Sequence, residues 1–130
     1  MNALEQKPFI VDMDSHVMEP PDLWQKYLEP QYLDRAIHIR TASDGIEELV
    51  VDNKVLLKGR LASLGGVEHN ADKLFIQPEI PYMDGCPLAS YDTQARVALL
   101  DDWGVDAGVV FPTIGILWDK PEDPELAMAY

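Results

Sequence analysis

An α/β chain with parallel strands is what this sequence predicts, and three features predict it. A short apolar run without alternation, Phe9-Ile10-Val11, leads into Asp12-Met13-Asp14-Ser15-His16. Such runs suit strands covered on both faces, as in a parallel sheet backed by helices. Further on, Asp92 to Gly104 reads as a capped helix that passes at once into a second apolar run, Val105 to Phe111. Helix followed directly by strand is the step that parallel crossovers need. Between the two, the period drops to two over residues 36–58, which predicts a small antiparallel meander inserted after the first strand.

Taken in order, Met1 to Lys7 is an untethered lead-in and the first strand runs from Pro8 to Asp14. Pro20 and Pro21 suit a first helical turn, and Leu23, Trp24, Tyr27 and Leu28 repeat at helical spacing, giving a short helix from Pro21 to Leu28. Pro30 ends it. In the meander Ile37, Ile39 and Thr41 alternate with His38 and Arg40, Asp44-Gly45 makes a tight turn, Ile46 to Val51 returns, and Val55 to Leu57 follows the turn at Asp52-Asn53-Lys54.

Residues 59–90 carry Gly65-Gly66, Pro78, Pro81, Gly85 and Pro87 with no sustained period. So long a loop inside a compact domain points to a lid or rim. Phe75, Ile76, Ile80, Tyr82 and Met83 give it apolar groups with which to pack. Asp92 then caps a helix over Thr93 to Trp103, with Ala95, Leu99 and Trp103 on one stripe and Gly104 at the left-handed cap position. The second strand ends at Pro112-Thr113. Asp123 and Pro124 open a last helix that has no closing signal before Tyr130. From this, residues 1–130 are expected to be the N-terminal part of one longer domain.

Charge narrows the function. With 23 acidic against 10 basic residues the net charge is −13, which argues against nucleic-acid binding and against docking to an anionic membrane. No apolar run approaches the ~20 residues of a membrane span. Cys86 is the sole cysteine, so no internal disulfide forms and a reducing cytoplasm is the expected compartment.

The chemistry gathers where the first strand ends. Side chains two apart on a strand share a face, with Cβ atoms about 6–7 Å apart, so Asp12, Asp14 and His16 would project together if the strand ran that far. A carboxylate and a neutral imidazole suit Zn²⁺ or Mn²⁺ better than an all-oxygen Ca²⁺ cage. Two solvated loop residues are the plainer reading of Asp-x-His alone. Glu19 serves either as an anion at a helix start or as a group that orients His16 or touches substrate. His38 and His69 read as surface residues, and Trp24, Phe75 and Trp118 as packing rather than the lining of an aromatic pocket.

The run from Val11 to Trp24 resembles the opening of the amidohydrolase superfamily, most nearly the branch related to aminocarboxymuconate semialdehyde decarboxylase. Tyr91-Asp92-Thr93, and Leu99 to Thr113, resemble the same branch's first barrel helix and second strand. The resemblance implies the N-terminal part of a metal-dependent (β/α)₈ barrel of the TIM type. Its first strand would supply two metal ligands, here Asp14 and His16, with Asp12 supporting them from behind or serving the fold. Many members have His-x-His; Asp-x-His is closer to the carboxylate-x-His of some decarboxylases, which leaves Zn²⁺ and Mn²⁺ both open. Further histidines and an aspartate would come from later strands. The implied activity is hydrolysis or non-oxidative decarboxylation of a small carboxylate or carbonyl substrate, with a metal polarising substrate or water. A full-length protein of this kind is expected to be a homo-oligomer, and the segment alone to associate or to be inactive.

Two other readings compete. Phe9 to Ser15 also resembles the Asp-x-Asp opening of haloacid-dehalogenase-type Mg²⁺-dependent phosphatases, in which Asp12 would attack phosphorus. Against that, Ser15-His16 stands where Gly or Thr is expected, and Glu19 to Trp24 has no part to play. The third reading is a non-catalytic acidic α/β interaction module whose polar cluster merely caps a strand.

Overall fold

A computed structural model describes residues 7–65 and 77–130. The chain is mixed α/β with two sheets. Strands β1 (Val11–Val17) and β5 (Ala107–Pro112) form a parallel pair, while β2 (His38–Thr41), β3 (Glu47–Val51) and β4 (Lys54–Lys58) form an antiparallel sheet in that order. No closed barrel is formed among the described residues. Three helices accompany the sheets: α1 (Leu23–Tyr27), α2 (Thr93–Trp103) and α3 (Pro124–Ala129).

The meander forms as its period requires. Thr41 pairs with Glu47 across the Asp44-Gly45 turn, and Val51 pairs with Lys54 across Asp52-Asn53, whose φ values of 49° and 62° make a tight primed turn. Ile37, Leu49 and Val51 point into one core with Trp24 of α1 and Leu28 just after it, and with Leu61, Tyr82 and Ile114 from the connecting segments. Tyr27, expected on the same stripe, faces solvent instead, because a helix of five residues presents only one narrow face.

The 59–90 stretch is not bare loop. It contains the 3₁₀ turns Leu61–Gly65, Tyr82–Gly85 and Leu88–Ser90. The first two cross backbone on backbone: a Cβ on Gly65 would overlap the Gly85 carbonyl, and one on Gly85 the Ala62 carbonyl, so glycine is required at both. Tyr82 is buried, whereas Met83 is exposed. Phe75, Ile76 and His69 lie outside the described residues.

Both later helices carry their expected caps. Asp92 Oδ1 accepts from the Ala95 amide at 2.8 Å, Gly104 takes the left-handed conformation, and Asp123 Oδ1 accepts from the amides of Glu125 and Leu126. Arg35 binds α3 to the meander, donating to Asp52 at 2.6 Å and to Asp123 at 2.7 Å, and the Tyr130 hydroxyl donates to the Arg35 carbonyl.

The parallel pair corrects one expectation. Its strands are the two apolar runs, displaced: β1 begins at Val11 rather than Pro8 and continues to Val17, and β5 starts at Ala107. They are not covered on both faces. Phe9 precedes the strand and is exposed, as are Val11, Met13, Val109, Val110 and Phe111. The Ala95–Leu99–Trp103 stripe of α2 buries no residue fully. The core lies instead between the meander and α1, and these side chains keep 38–74% of their surface open.

Candidate functional site

β1 and β5 run side by side with His16 opposite Phe111 and Val17 opposite Pro112, so the C-terminal ends of both strands meet at one place. In α/β folds that end is where ligand sites form. The register slips between Asp12 and Ser15, a bulge that re-aims the side chains beyond it. Ser15 turns inward, while Asp14 and His16 reach outward with side-chain exposures of 85% and 46%.

Asp12 holds the bulge. Its Oδ1 accepts from the Asp14 amide at 3.0 Å and its Oδ2 from the Ser15 hydroxyl at 2.5 Å. These bonds, that from Ser15 first, hold its carboxyl below the usual carboxylate range. Asp12 therefore fixes the backbone from which Asp14 projects.

Asp14 Oδ1 lies 3.6 Å from His16 Nε2. Two donors about 2.0–2.2 Å from a shared Zn²⁺ at the tetrahedral angle would stand about 3.4 Å apart. The carboxylate oxygen and the ring nitrogen thus face each other at close to the separation a shared ion needs. The other ring nitrogen, Nδ1, lies 3.3 Å from Thr113 Oγ1 at the end of β5, matching the oxygen partner that metal-binding imidazoles keep on their far side. The Phe111 ring stands 6.0 Å from the imidazole, centre to centre, at a tilt of 38°. Arg96 of α2 donates to the His16 carbonyl at 3.1 Å and to the Ala89 carbonyl at 3.2 Å. Among the described residues no third His, Cys, Asp or Glu joins the pair to complete a metal site.

Glu19 is buried, and both its oxygens are taken up by backbone amides. Oε1 accepts from Thr113 at 3.0 Å and from Gly115 at 2.8 Å, and Oε2 from Ile114 at 2.9 Å. A Cβ on Gly115 would crowd Glu19 Oε1 and Pro112 at about 3 Å, so the turn and the carboxylate are fitted to each other. Glu19 makes no hydrogen bond to His16; its three bonds fix the turn at residues 113–115, the first of which bears the hydroxyl beside His16 Nδ1.

A cavity of about 450 Å³ opens beside the pair, lined by Asp12, Asp14, Ser15 and His16, and on its far side by Leu99, Leu100 and Trp103. That falls in the size range of small-molecule sites. Trp24 is in the core and Trp118 is exposed; neither lines this cavity. His38 is half-buried, its Nδ1 2.8 Å from the Ala36 carbonyl. Cys86 is half-buried and its thiol is pushed up to about 11 by burial.

Sequence reasoning missed Arg96, and it missed Thr113 as a partner of His16. Thr113 had a signal, being a polar residue at the end of an apolar strand, as Asp14 and His16 are. Arg96 had none, because its role depends on where α2 lies over the bulge. Among the described residues no helix is long and apolar enough to cross a membrane. Neither protein-family models nor curated proteins match this sequence, so any functional reading stands on these residues.

Proposed function

We propose that this chain belongs to a metal-dependent enzyme that hydrolyses or non-oxidatively decarboxylates a small carboxylate or carbonyl substrate. Within that class we read it as the opening part of an amidohydrolase-type (β/α)₈ barrel, in the branch similar to aminocarboxymuconate semialdehyde decarboxylase. The observation that carries the reading is the Asp14 Oδ1 to His16 Nε2 approach of 3.6 Å at the C-terminal end of a parallel strand. The uncovered faces of β1 and β5 support it too, since strands of a barrel are covered only when the remaining strands and helices are present.

Each residue has a task in this reading. Asp14 and His16 hold a divalent cation, Zn²⁺ by preference and Mn²⁺ as the alternative; Asp12 fixes the backbone under Asp14; Glu19 holds the wall behind His16. The cation supplies a Lewis acid at the substrate oxygen. Leu99, Leu100 and Trp103 add apolar surface to the lining of the cavity. The phosphatase reading gives His16 no task, and it needs a free Asp12 carboxylate where Ser15 and the Asp14 amide occupy both oxygens.

The test is metal content after dialysis against Zn²⁺ or Mn²⁺, with the protein, Asp14→Ala and His16→Ala compared by elemental analysis. Both variants should lose the bound ion. Equal metal content in all three would overturn the reading and leave an acidic interaction module as the better account.

A further inference from the structure

Thr113 occupies a position that the proposed metal site does not by itself require. Its backbone amide is one of three successive N–H groups gathered by the buried Glu19 carboxylate, and its hydroxyl oxygen stands 3.3 Å from His16 Nδ1. The opposite ring nitrogen faces Asp14. A neutral imidazole carries one proton, on either nitrogen, and a hydroxyl can accept from an N–H or donate to a bare nitrogen. A carboxylate or carbonyl in the same place could only accept.

We propose that Thr113 is the positioning residue for His16, its hydroxyl donating to Nδ1 in the metal-free protein and accepting from Nδ1–H when a divalent cation takes Nε2. Without the ion, Nε2 carries the ring proton on the side of Asp14, and Nδ1 accepts a hydrogen bond from the Thr113 hydroxyl, which keeps its proton. With Nε2 given to a cation, the Nε2 proton would leave for solvent and a proton from solvent would settle on Nδ1. The ring stays neutral, and the hydroxyl hydrogen turns away. Glu19 sets where the hydroxyl stands, because three charge-assisted bonds fix the turn that bears it. The proposal rests on the metal-site reading but makes its own claim about the far side of the ring.

The experiment combines nitrogen NMR of the ¹⁵N-labelled His16 ring, at a pH where the ring is neutral, with calorimetry of ZnCl₂ addition. The protein should show Nε2–H before zinc and Nδ1–H after it. Thr113→Val should weaken zinc binding about 10–100-fold, the usual cost of losing such a partner, while Thr113→Ser keeps both affinity and tautomer switch. Glu19→Gln should weaken zinc binding as well, but add less than about twofold once Thr113 is already Val, because the two act through one contact. If Thr113→Val yields too little folded protein, Thr113→Ala against Thr113→Ser carries the same contrast. Zinc binding unchanged in Thr113→Val, or losses that multiply in the double variant, would overturn the proposal and leave the metal site standing. No response of the His16 ring to zinc in the unaltered protein would overturn both.

Discussion

Ile37, Leu49 and Tyr82, around the meander, keep at most 2% of their surface exposed, whereas Met13, Val110 and Phe111, on the parallel pair, keep 65%, 48% and 42%. The first region is held by burial. The second carries the candidate chemistry and is held by directed polar bonds: Asp12 across the bulge, Arg96 on the His16 carbonyl, and Glu19 on the turn after β5. The two meet at Met18 and Ile114, which belong to the core while their neighbours reach the site. Side chains can therefore stand on a half-open sheet and still be fixed, provided the turns beneath them are tied into a packed body.

Glycine substitutions break the comparison most sharply. Gly85→Ala drives a Cβ into the Ala62 backbone, and should cost more than about 4 kcal/mol, an exceptional loss for one methyl group. Gly108→Ala on the parallel pair meets Ser15 and the Asp12 carbonyl at ordinary contact distance, and should cost less than about 1 kcal/mol. Urea unfolding followed by circular dichroism measures both. Next in size, Ile37→Ala should cost about 2–5 kcal/mol, and Val110→Ala, half exposed, under about 1 kcal/mol. Equal losses at the two positions would mean that the open sheet is covered in solution.

Acid tests the seam between α3 and the meander. Arg35 hydrogen-bonds Asp52 and Asp123 and holds both carboxyls below their usual range. A group depressed in this way adds stability above its unfolded pKa, and that stability disappears as pH falls through the folded one. Melting temperature should thus be flat near neutrality and fall below the ordinary carboxylate range; Arg35→Gln should flatten that fall. The mildest probe leaves the fold intact. With its thiol up at about 11 against an ordinary 9.0, Cys86 should carry about a hundredfold less thiolate at neutral pH than an open thiol, each unit being a factor of ten. Alkylation should be correspondingly slow, and urea should restore it.

Local patterns made the meander, both capped helices and the parallel partnership of the two apolar runs readable from sequence. Alternation, Asx caps and helix-to-strand spacing are set within a few residues, so they survive without tertiary knowledge. The facing of Asp14 and His16 was readable as well, although the bulge that secures it depends on how Asp12 bonds to Ser15. Coverage of the strands was not readable, because Val109 and Val110 look the same in sequence whether or not anything packs on them. The Glu19 tether was hidden for a related reason: its three partners are backbone amides at residues 113–115, which carry no side-chain signature.

The crossing of Gly65 over Gly85 sets the Leu61–Gly65 and Tyr82–Gly85 turns backbone against backbone. Gly65 also helps to line the cavity, so part of the cavity rim is tied to the turn that carries the buried Tyr82. A side chain at Gly85 would therefore shift a part of the cavity rim as well as the packed turn that bears it.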